Sequence, residues 1–142
     1  MDKFLDNCCF NRPYDDQAYL TVNLETEAKL FVQKEILHGV FELAWSYILD
    51  YENSMNPYEE RRRVIENWRK IAVCDIDYSV DINRLGNKIL TNGLKNMDAL
   101  HIACAIAAKC AYFLTIDKGV LNKQLHEIIV INPIDFVRNI GA

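Results

Sequence analysis

The stretch NMDALHIACAIAAKCAYFLTID, from Asn96 to Asp117, decides the fold, because it is the most apolar part of the chain and carries an acid near each end. Asn96 is a helix-capping residue, and the residues that follow, to about Ala108, are helix formers that are apolar on nearly all sides. This pattern is typical of a buried helix. The next run, Tyr112–Ile116, is rich in aromatic and β-branched residues, as in a central parallel strand. One carboxylate, Asp98, is therefore predicted at the start of a buried helix, and Asp117 at the carboxyl end of a buried strand.

The length and the charge limit the class of protein. A chain of 142 residues that is 51% hydrophobic can bury a sizeable core, and we expect one domain over residues 1–142. The formal net charge of -4 argues against a broadly basic nucleic-acid-binding surface. The net charge does not exclude a local basic surface, because a bound metal would offset the negative charge of clustered carboxylates.

The cysteines and the apolar runs indicate the compartment. The five cysteines form no CxxC pair and their number is odd, which favours reduced thiols in the cytoplasm and no zinc site. The N-terminus lacks a signal-type apolar core, and Lys109 interrupts the longest apolar run well short of the roughly 20 residues that a membrane span requires. We therefore expect a cytoplasmic protein that has no contact with a membrane.

Strands and helices alternate along the chain. The predicted strands are Lys3–Asp6, Phe41–Ser46, Ile71–Ile76, Tyr112–Ile116 and Ile128–Ile131. Besides the helix after Asn96, the predicted helices run from Asp15 or Asp16 to Leu37, Ser46–Ser54, Pro57–Ile71, from Ser79 or Asp81 to Leu90, Val120–Leu125 and Pro133–Ile140. The alternation predicts an α/β fold whose parallel sheet is covered by helices on both faces.

Four acids are expected to meet at one edge of this sheet, because ligands of such folds bind beyond the carboxyl ends of the strands. Asp6 ends the first strand, and Asp117 follows the fourth. Ser46 opens the helix after the second strand, and that helix carries Glu52. Asp98 opens a crossover helix whose amino end can lie near the same edge.

The surroundings of these acids favour a metal site. Glu52 continues an apolar stripe of its helix, whereas Asp50 lies away from that stripe. Carboxylates on apolar faces cost free energy and repel one another, which a divalent cation relieves. Oxygen ligands without a His or Cys set favour Mg²⁺ or Mn²⁺, and water on such an ion is a nucleophile for phosphodiester cleavage.

Four motifs in order give a resemblance that covers essentially the whole chain: FLDN near the start, Ser46 with Glu52, MDALHIA from Met97, and LTID ending at Asp117. Together they resemble the PIN domain, the nuclease fold of VapC-type toxins. The resemblance implies a three-layer α/β/α sandwich with a central parallel sheet.

The resemblance also implies a function, a metal-dependent endoribonuclease. Asp6, Asp98 and Asp117 would hold one or two Mg²⁺ or Mn²⁺ ions, Glu52 would bind metal or orient the attacking water, and Thr115 would support the site. The substrate would be RNA. Toxins of this type are held inactive by an antitoxin protein and usually form homodimers, so both partners are expectations here.

Several residues keep other interpretations open. Asp98 also suits the first turn of any helix, and Asp6 and Asp117 suit turns after strands. His101 is interpreted as a packed histidine hydrogen-bonded to the backbone, with a catalytic role as the alternative. Asn7 and Arg12 are candidate substrate-binding residues, although loop folding is the better explanation for them.

The basic run Arg61–Arg63 is interpreted as a solvated helix face, with contact to RNA phosphates as the alternative. Two other α/β classes fit less well. A haloacid-dehalogenase-like phosphatase needs a second Asp where this chain has Cys8, and a receiver domain needs an acidic pair that is not evident. The alternative function is a module that keeps the PIN fold and binds RNA or protein without cutting.

Overall fold

The computed structural model describes residues 3–6, 18–90, 93–123 and 125–140, and for residues 3–6 the backbone alone. Strands and helices alternate in these ranges. The strands are β1 (Lys3–Asp6), β2 (Glu42–Ser46), β3 (Cys74–Ile76), β4 (Tyr112–Leu114) and β5 (Ile129–Ile131). The helices are α1 (Leu20–Leu37), α2 (Tyr47–Ser54), α3 (Glu59–Ile71), α4 (Val80–Leu90), α5 (Asn96–Ala107), α6 (Lys118–Leu121) and α7 (Pro133–Asn139).

The described strands form one five-stranded sheet in the order β3-β2-β1-β4-β5, and each neighbouring pair is parallel. From β1 the chain builds outward to β2 and β3 on one side, then returns to place β4 and β5 on the other. The order therefore reverses between β1 and β4. In open parallel sheets this reversal leaves a crevice at the carboxyl ends of the two strands, which is where ligands bind. The predicted α/β class with a parallel sheet is confirmed.

The helix α5 is buried as its sequence predicts. Its residues Ile102, Ala103 and Ala105 are fully excluded from solvent, as are Phe113 and Leu114 of the neighbouring strand β4. Small and aliphatic side chains let the helix lie close to its neighbours, and burial of apolar surface stabilises the fold by roughly 25 cal/mol for each Å² removed from water. This burial fixes the amino end of α5, where Asp98 lies.

Several element bounds differ from the prediction. Asn96 is not the cap of α5, because the residue with extended backbone is Lys95, whose side chain makes no capping hydrogen bond. The strand β4 ends at Leu114 instead of Ile116, since the Thr115 hydroxyl binds the backbone two residues on and turns the chain. The predicted caps Asp15 and Asp16 lie outside the described residues.

The helices near the end of the chain also begin earlier or end sooner than predicted. The helix α6 starts at Lys118 because the Asp117 side chain caps it, accepting a hydrogen bond from the Gly119 N–H. Asn132 caps α7 in the same way and also donates to the buried carboxylate of Glu25 on α1, at 2.9 Å. This pairing joins α1 to α7. In the described ranges, no helix combines the length and the apolar character needed to cross a membrane.

Candidate active site at the carboxyl edge of the sheet

The crevice lies where two predicted site segments run side by side. In the parallel pairing of β1 with β4, Asp6 is opposite Leu114. The backbone of Asp6 is therefore beside the strand end that leads into Thr115 and Asp117. The side chain of Asp6, together with the candidate substrate-binding residues Asn7 and Arg12, lies outside what the structure describes.

The turn after β4 holds Asp117 in place. Thr115 is fully buried, and its hydroxyl accepts a hydrogen bond from the Asp117 backbone N–H at 3.1 Å. The Asp117 carboxylate in turn accepts from the Gly119 N–H at 2.8 Å through its Oδ1 atom. Both bonds are local, so the short loop is fixed by its own polar groups. Asp117 is left exposed at the edge of the sheet.

Asp98, in the first turn of α5, lies within electrostatic reach of two other predicted acids. Its pKa is raised above the ordinary 3.8, first by burial and then by the negative charges of Asp117 and Glu52. His101 and Lys95 act in the opposite direction and lower it. Glu52, Asp98 and Asp117, from α2, α5 and the turn after β4, therefore share one electrostatic environment, although they are far apart in the chain. These three residues are called the acid cluster below.

Glu52 on α2 is held by a histidine that the sequence did not assign to the site. His101 Nε2 forms a hydrogen bond with the Oε1 atom of Glu52. The interpretation of His101 as a histidine bonded to the backbone is therefore wrong, because its described partner is a carboxylate of the acid cluster. The signal for this pairing was the spacing, since His101 lies one turn after Asp98 on an otherwise apolar helix.

The other acid of α2, Asp50, has different partners from Glu52. Asp50 accepts a hydrogen bond from the indole N–H of the buried Trp45 at 2.9 Å, and it lies 3.8 Å from the guanidinium of Arg69. The side chains of Asp50 and Glu52 are both 36% exposed. The sequence placed Glu52 on the apolar stripe of α2 and Asp50 away from it, and the exposed fraction of the two side chains does not distinguish them. The two acids differ in their partners. Asp50 accepts a hydrogen bond from Trp45 of β2, whereas Glu52 belongs to the acid cluster.

A buried thiol lies next to the start of α2. The Ser46 hydroxyl accepts from the Leu49 N–H at 3.4 Å and caps the helix, as predicted. It also makes a hydrogen bond with the Cys104 thiol of α5. Burial raises the pKa of Cys104 to about 11, while the Ser46 bond lowers it. The thiol therefore stays protonated at neutral pH, which is the state expected of a packing residue.

The basic run at the start of α3 is bound to its own surroundings. Arg61 lies over the Tyr58 ring at 4.0 Å, Arg62 donates to a backbone carbonyl, and Arg63 pairs with Glu59 at 2.7 Å. These local contacts fit the predicted solvated helix face, which such pairs stabilise by only about 0.3–0.5 kcal/mol each.

The donor chemistry of the acid cluster fits a hard divalent cation. Carboxylate oxygens are the ligands that Mg²⁺ and Mn²⁺ prefer, and the repulsion that raises the pKa of Asp98 is what a bound cation relieves. Among the side chains that the structure describes, no three His, Cys, Asp or Glu residues lie close enough together to form a ligand set. Asp6, whose backbone ends β1 at this crevice, is the remaining acid of the predicted set.

Comparison with known proteins gives one kind of match. No protein-family model matches the chain, and no curated protein matches it. Among solved structures, the chain is similar to a chain in the crystal structure of VapBC2 from Rickettsia felis bound to a DNA fragment from their promoter, with a TM-score of 0.53 and 20% sequence identity. The match covers 92% of this chain and 98% of that chain. The likeness shows a related fold over nearly the full length of both.

Proposed function

We propose that this chain is a PIN-type endoribonuclease that uses Mg²⁺ or Mn²⁺ to hydrolyse phosphodiester bonds of RNA. One observation carries the proposal. Burial raises the pKa of Asp98, and the negative charges of Asp117 and Glu52 raise it further, so acids from three separate elements share one environment. They lie at the edge of a parallel sheet whose strand order reverses between β1 and β4, where ligands of such sheets bind.

Each acid has a role in this proposal. Asp6, Asp98 and Asp117 hold the cation, and Glu52 binds it or orients the attacking water. A bound Mg²⁺ or Mn²⁺ lowers the pKa of water and stabilises the charge that develops on the phosphate. Hydrolysis would form a bond from a water oxygen to phosphorus and break the bond to the leaving oxygen, and the proton that the water gives up would end on that oxygen.

Thr115 supports this chemistry indirectly, by holding the backbone of Asp117 with its buried hydroxyl.

The proposal includes a finer description of the fold. The strand order runs from β1 to β2 and β3 on one side and to β4 and β5 on the other. If each crossover is right-handed, as is usual for parallel strands, helices would cover opposite faces of the sheet. This arrangement is a three-layer α/β/α sandwich. We propose that residues 1–142 form a single such domain.

A role as the toxin of a toxin–antitoxin pair is supported by the likeness to a chain of the VapBC2 complex. In this role the chain cuts RNA in the cytoplasm, forms a homodimer and is held inactive by an antitoxin protein. The thiols of Cys74 and Cys104 form no disulfide, which fits a reducing compartment.

The alternative is a module that keeps the fold and binds RNA or protein without cutting. This alternative needs only the fold and no bound cation. It is disfavoured by the raised pKa of Asp98, because a non-catalytic module has no need of mutually repelling acids.

The test is cleavage of a single-stranded RNA bearing a fluorophore and a quencher, with Mn²⁺, with Mg²⁺ and with EDTA. We expect metal-dependent cleavage by the wild type and a loss of about 100-fold or more in Asp98→Asn. The matched control is Asp81→Asn, which removes a 93% exposed carboxylate from the first turn of α4 and should leave the rate unchanged. Full activity of Asp98→Asn with an unchanged circular dichroism spectrum would contradict the proposed role.

A further inference from the structure

His101 lies beneath the acid cluster in a position that water does not reach. It belongs to α5, one turn after Asp98, and its side chain is fully excluded from solvent. Its ring packs beside Phe113 of β4, with ring centroids 6.0 Å apart. A histidine held between a helix and the sheet in this way has little freedom to turn away from its partner.

The hydrogen bond to Glu52 fixes which nitrogen of His101 carries the proton. An ionised carboxylate only accepts hydrogen bonds, so Nε2 must donate to Oε1 of Glu52. The other nitrogen, Nδ1, is buried and has no hydrogen-bond partner in the described part of the chain. The bond to Glu52 therefore requires a proton on Nε2.

The hydrogen bond from His101 gives the two carboxylate oxygens of Glu52 different roles. With Oε1 bound to His101, Oε2 is the Glu52 oxygen left to bind a cation or a water. Ordering a glutamate side chain costs rotamer entropy, and a buried donor that already orders Glu52 removes that cost from ligand binding. The same bond links α2, which carries Glu52, to α5, which carries Asp98.

We propose that His101 is a positioning residue that holds Glu52 in the orientation required for binding a divalent cation. The inference rests on the proposed function for its catalytic consequence, but its effect on metal affinity can be measured without RNA. His101 itself touches neither the cation nor the substrate in this account, and it acts only through Glu52.

The first experiment compares two substitutions. His101→Phe keeps a ring of similar size and removes the donor, whereas His101→Gln keeps an N–H group at a comparable reach. We expect His101→Phe to weaken Mn²⁺ binding, measured by calorimetry on the metal-free protein, by about 10- to 100-fold. The kcat should fall by a similar factor, with the KM for RNA within about twofold. His101→Gln should restore most of both. Equal losses in the two variants would overturn the inference, because the donor would then be irrelevant.

A double-mutant cycle separates positioning from general damage to the fold. If His101 acts through Glu52, adding His101→Phe to Glu52→Gln should cause no further loss of Mn²⁺ affinity. Additive losses would contradict the proposal. If His101→Phe fails to fold, nitrogen NMR of the wild-type histidines tests the proposal instead. The proposal requires a proton on Nε2 of His101, and a ring protonated on Nδ1 alone would overturn it.

The controls distinguish this inference from the proposed function. A wild type that binds Mn²⁺ but cuts no RNA would refute the nuclease while leaving the metal-affinity comparison intact. An active wild type whose His101→Phe variant keeps its Mn²⁺ affinity and kcat would refute the inference alone. A wild type that binds no Mn²⁺ at millimolar concentration would refute both.

Discussion

The hydroxyl of Thr115 and the backbone N–H of Asp117 are joined by a 3.1 Å hydrogen bond at the point where β4 ends. This bond stops the strand at Leu114 and sets the position from which Asp117 approaches the other acids. The buried hydroxyl of Thr115 thus fixes the backbone position of Asp117.

Thr115→Val should separate this role from packing, since it replaces the hydroxyl by a methyl group of similar size. We expect the free energy of unfolding to fall by about 1 kcal/mol, the usual net value of one hydrogen bond, and RNA cleavage to fall by about tenfold. Urea unfolding and initial cleavage rates measure the two effects. Thr115→Ser keeps the hydroxyl and should keep most of the activity; a rate as low as that of the valine variant would refute the role of this bond.

Asp98 should destabilise the metal-free protein at neutral pH. Its pKa is raised by burial and by its acidic neighbours, so the folded chain binds this proton more tightly than the unfolded chain does. Stability therefore falls as pH rises from the ordinary value of 3.8 through the raised pKa. We expect Asp98→Asn to raise the Tm by a few degrees at pH 7 in EDTA, with the gain shrinking as the pH is lowered through that range.

The same thermal scan with Mn²⁺ gives the complementary result. The ion should raise the Tm of the wild type, because it binds the folded chain, and should raise the Tm of Asp98→Asn less at the same Mn²⁺ concentration. The control Asp81→Asn should behave like the wild type in both scans. A lower Tm for Asp98→Asn in EDTA would show that the acid stabilises the fold.

The Cys104 thiol should lower the free energy of unfolding as the pH rises into the alkaline range. Its pKa is 9.0 as an ordinary thiol and about 11 in the fold, where burial disfavours the thiolate. A group of this kind opposes folding once it ionises in the unfolded chain, so stability is lost as pH rises above 9.0. The loss should reach roughly 2 kcal/mol near pH 11. Urea unfolding of wild type and Cys104→Ala between pH 8 and 10.5 measures it, and the difference between them must shrink with pH.

The two acids of α2 should respond differently to substitution. Asp50→Ala removes a hydrogen-bond acceptor from the buried indole of Trp45 and should cost about 1 kcal/mol of stability with no change in Mn²⁺ affinity. Glu52→Gln should weaken Mn²⁺ binding. If the two variants lose metal affinity equally, the assignment of Glu52 and not Asp50 to the site is wrong.

The parts of the fold that repeat a strong local pattern were predictable from the sequence. The buried helix α5 follows from its apolar residues, and the helix after β2 follows from Ser46 as a cap. The parallel sheet follows from the alternation of strands and helices. Each of these depends on neighbours in the chain, where periodicity and capping chemistry act.

The contacts between distant segments were not predictable in the same way. Helical periodicity placed Asp50 away from the apolar stripe, but it could not show that the indole of Trp45 would bind it. The pairing of Glu52 with His101 joins residues on two helices, and only the packing of α2 against α5 creates it. The end of β4 depends on the hydroxyl of Thr115, whereas the aromatic and β-branched run around Thr115 predicts a strand that continues to Ile116.

The measurement that tests the central claim most directly is calorimetric titration of the metal-free protein with Mn²⁺, for the wild type and for Glu52→Gln, Asp98→Asn and Asp117→Asn. If acids from separate elements hold one cation, the wild type binds Mn²⁺ below millimolar concentration, and each variant loses about tenfold or more in affinity while Asp81→Asn loses none. Absence of binding by the wild type at millimolar Mn²⁺, or equal affinity in all five proteins, would contradict the account.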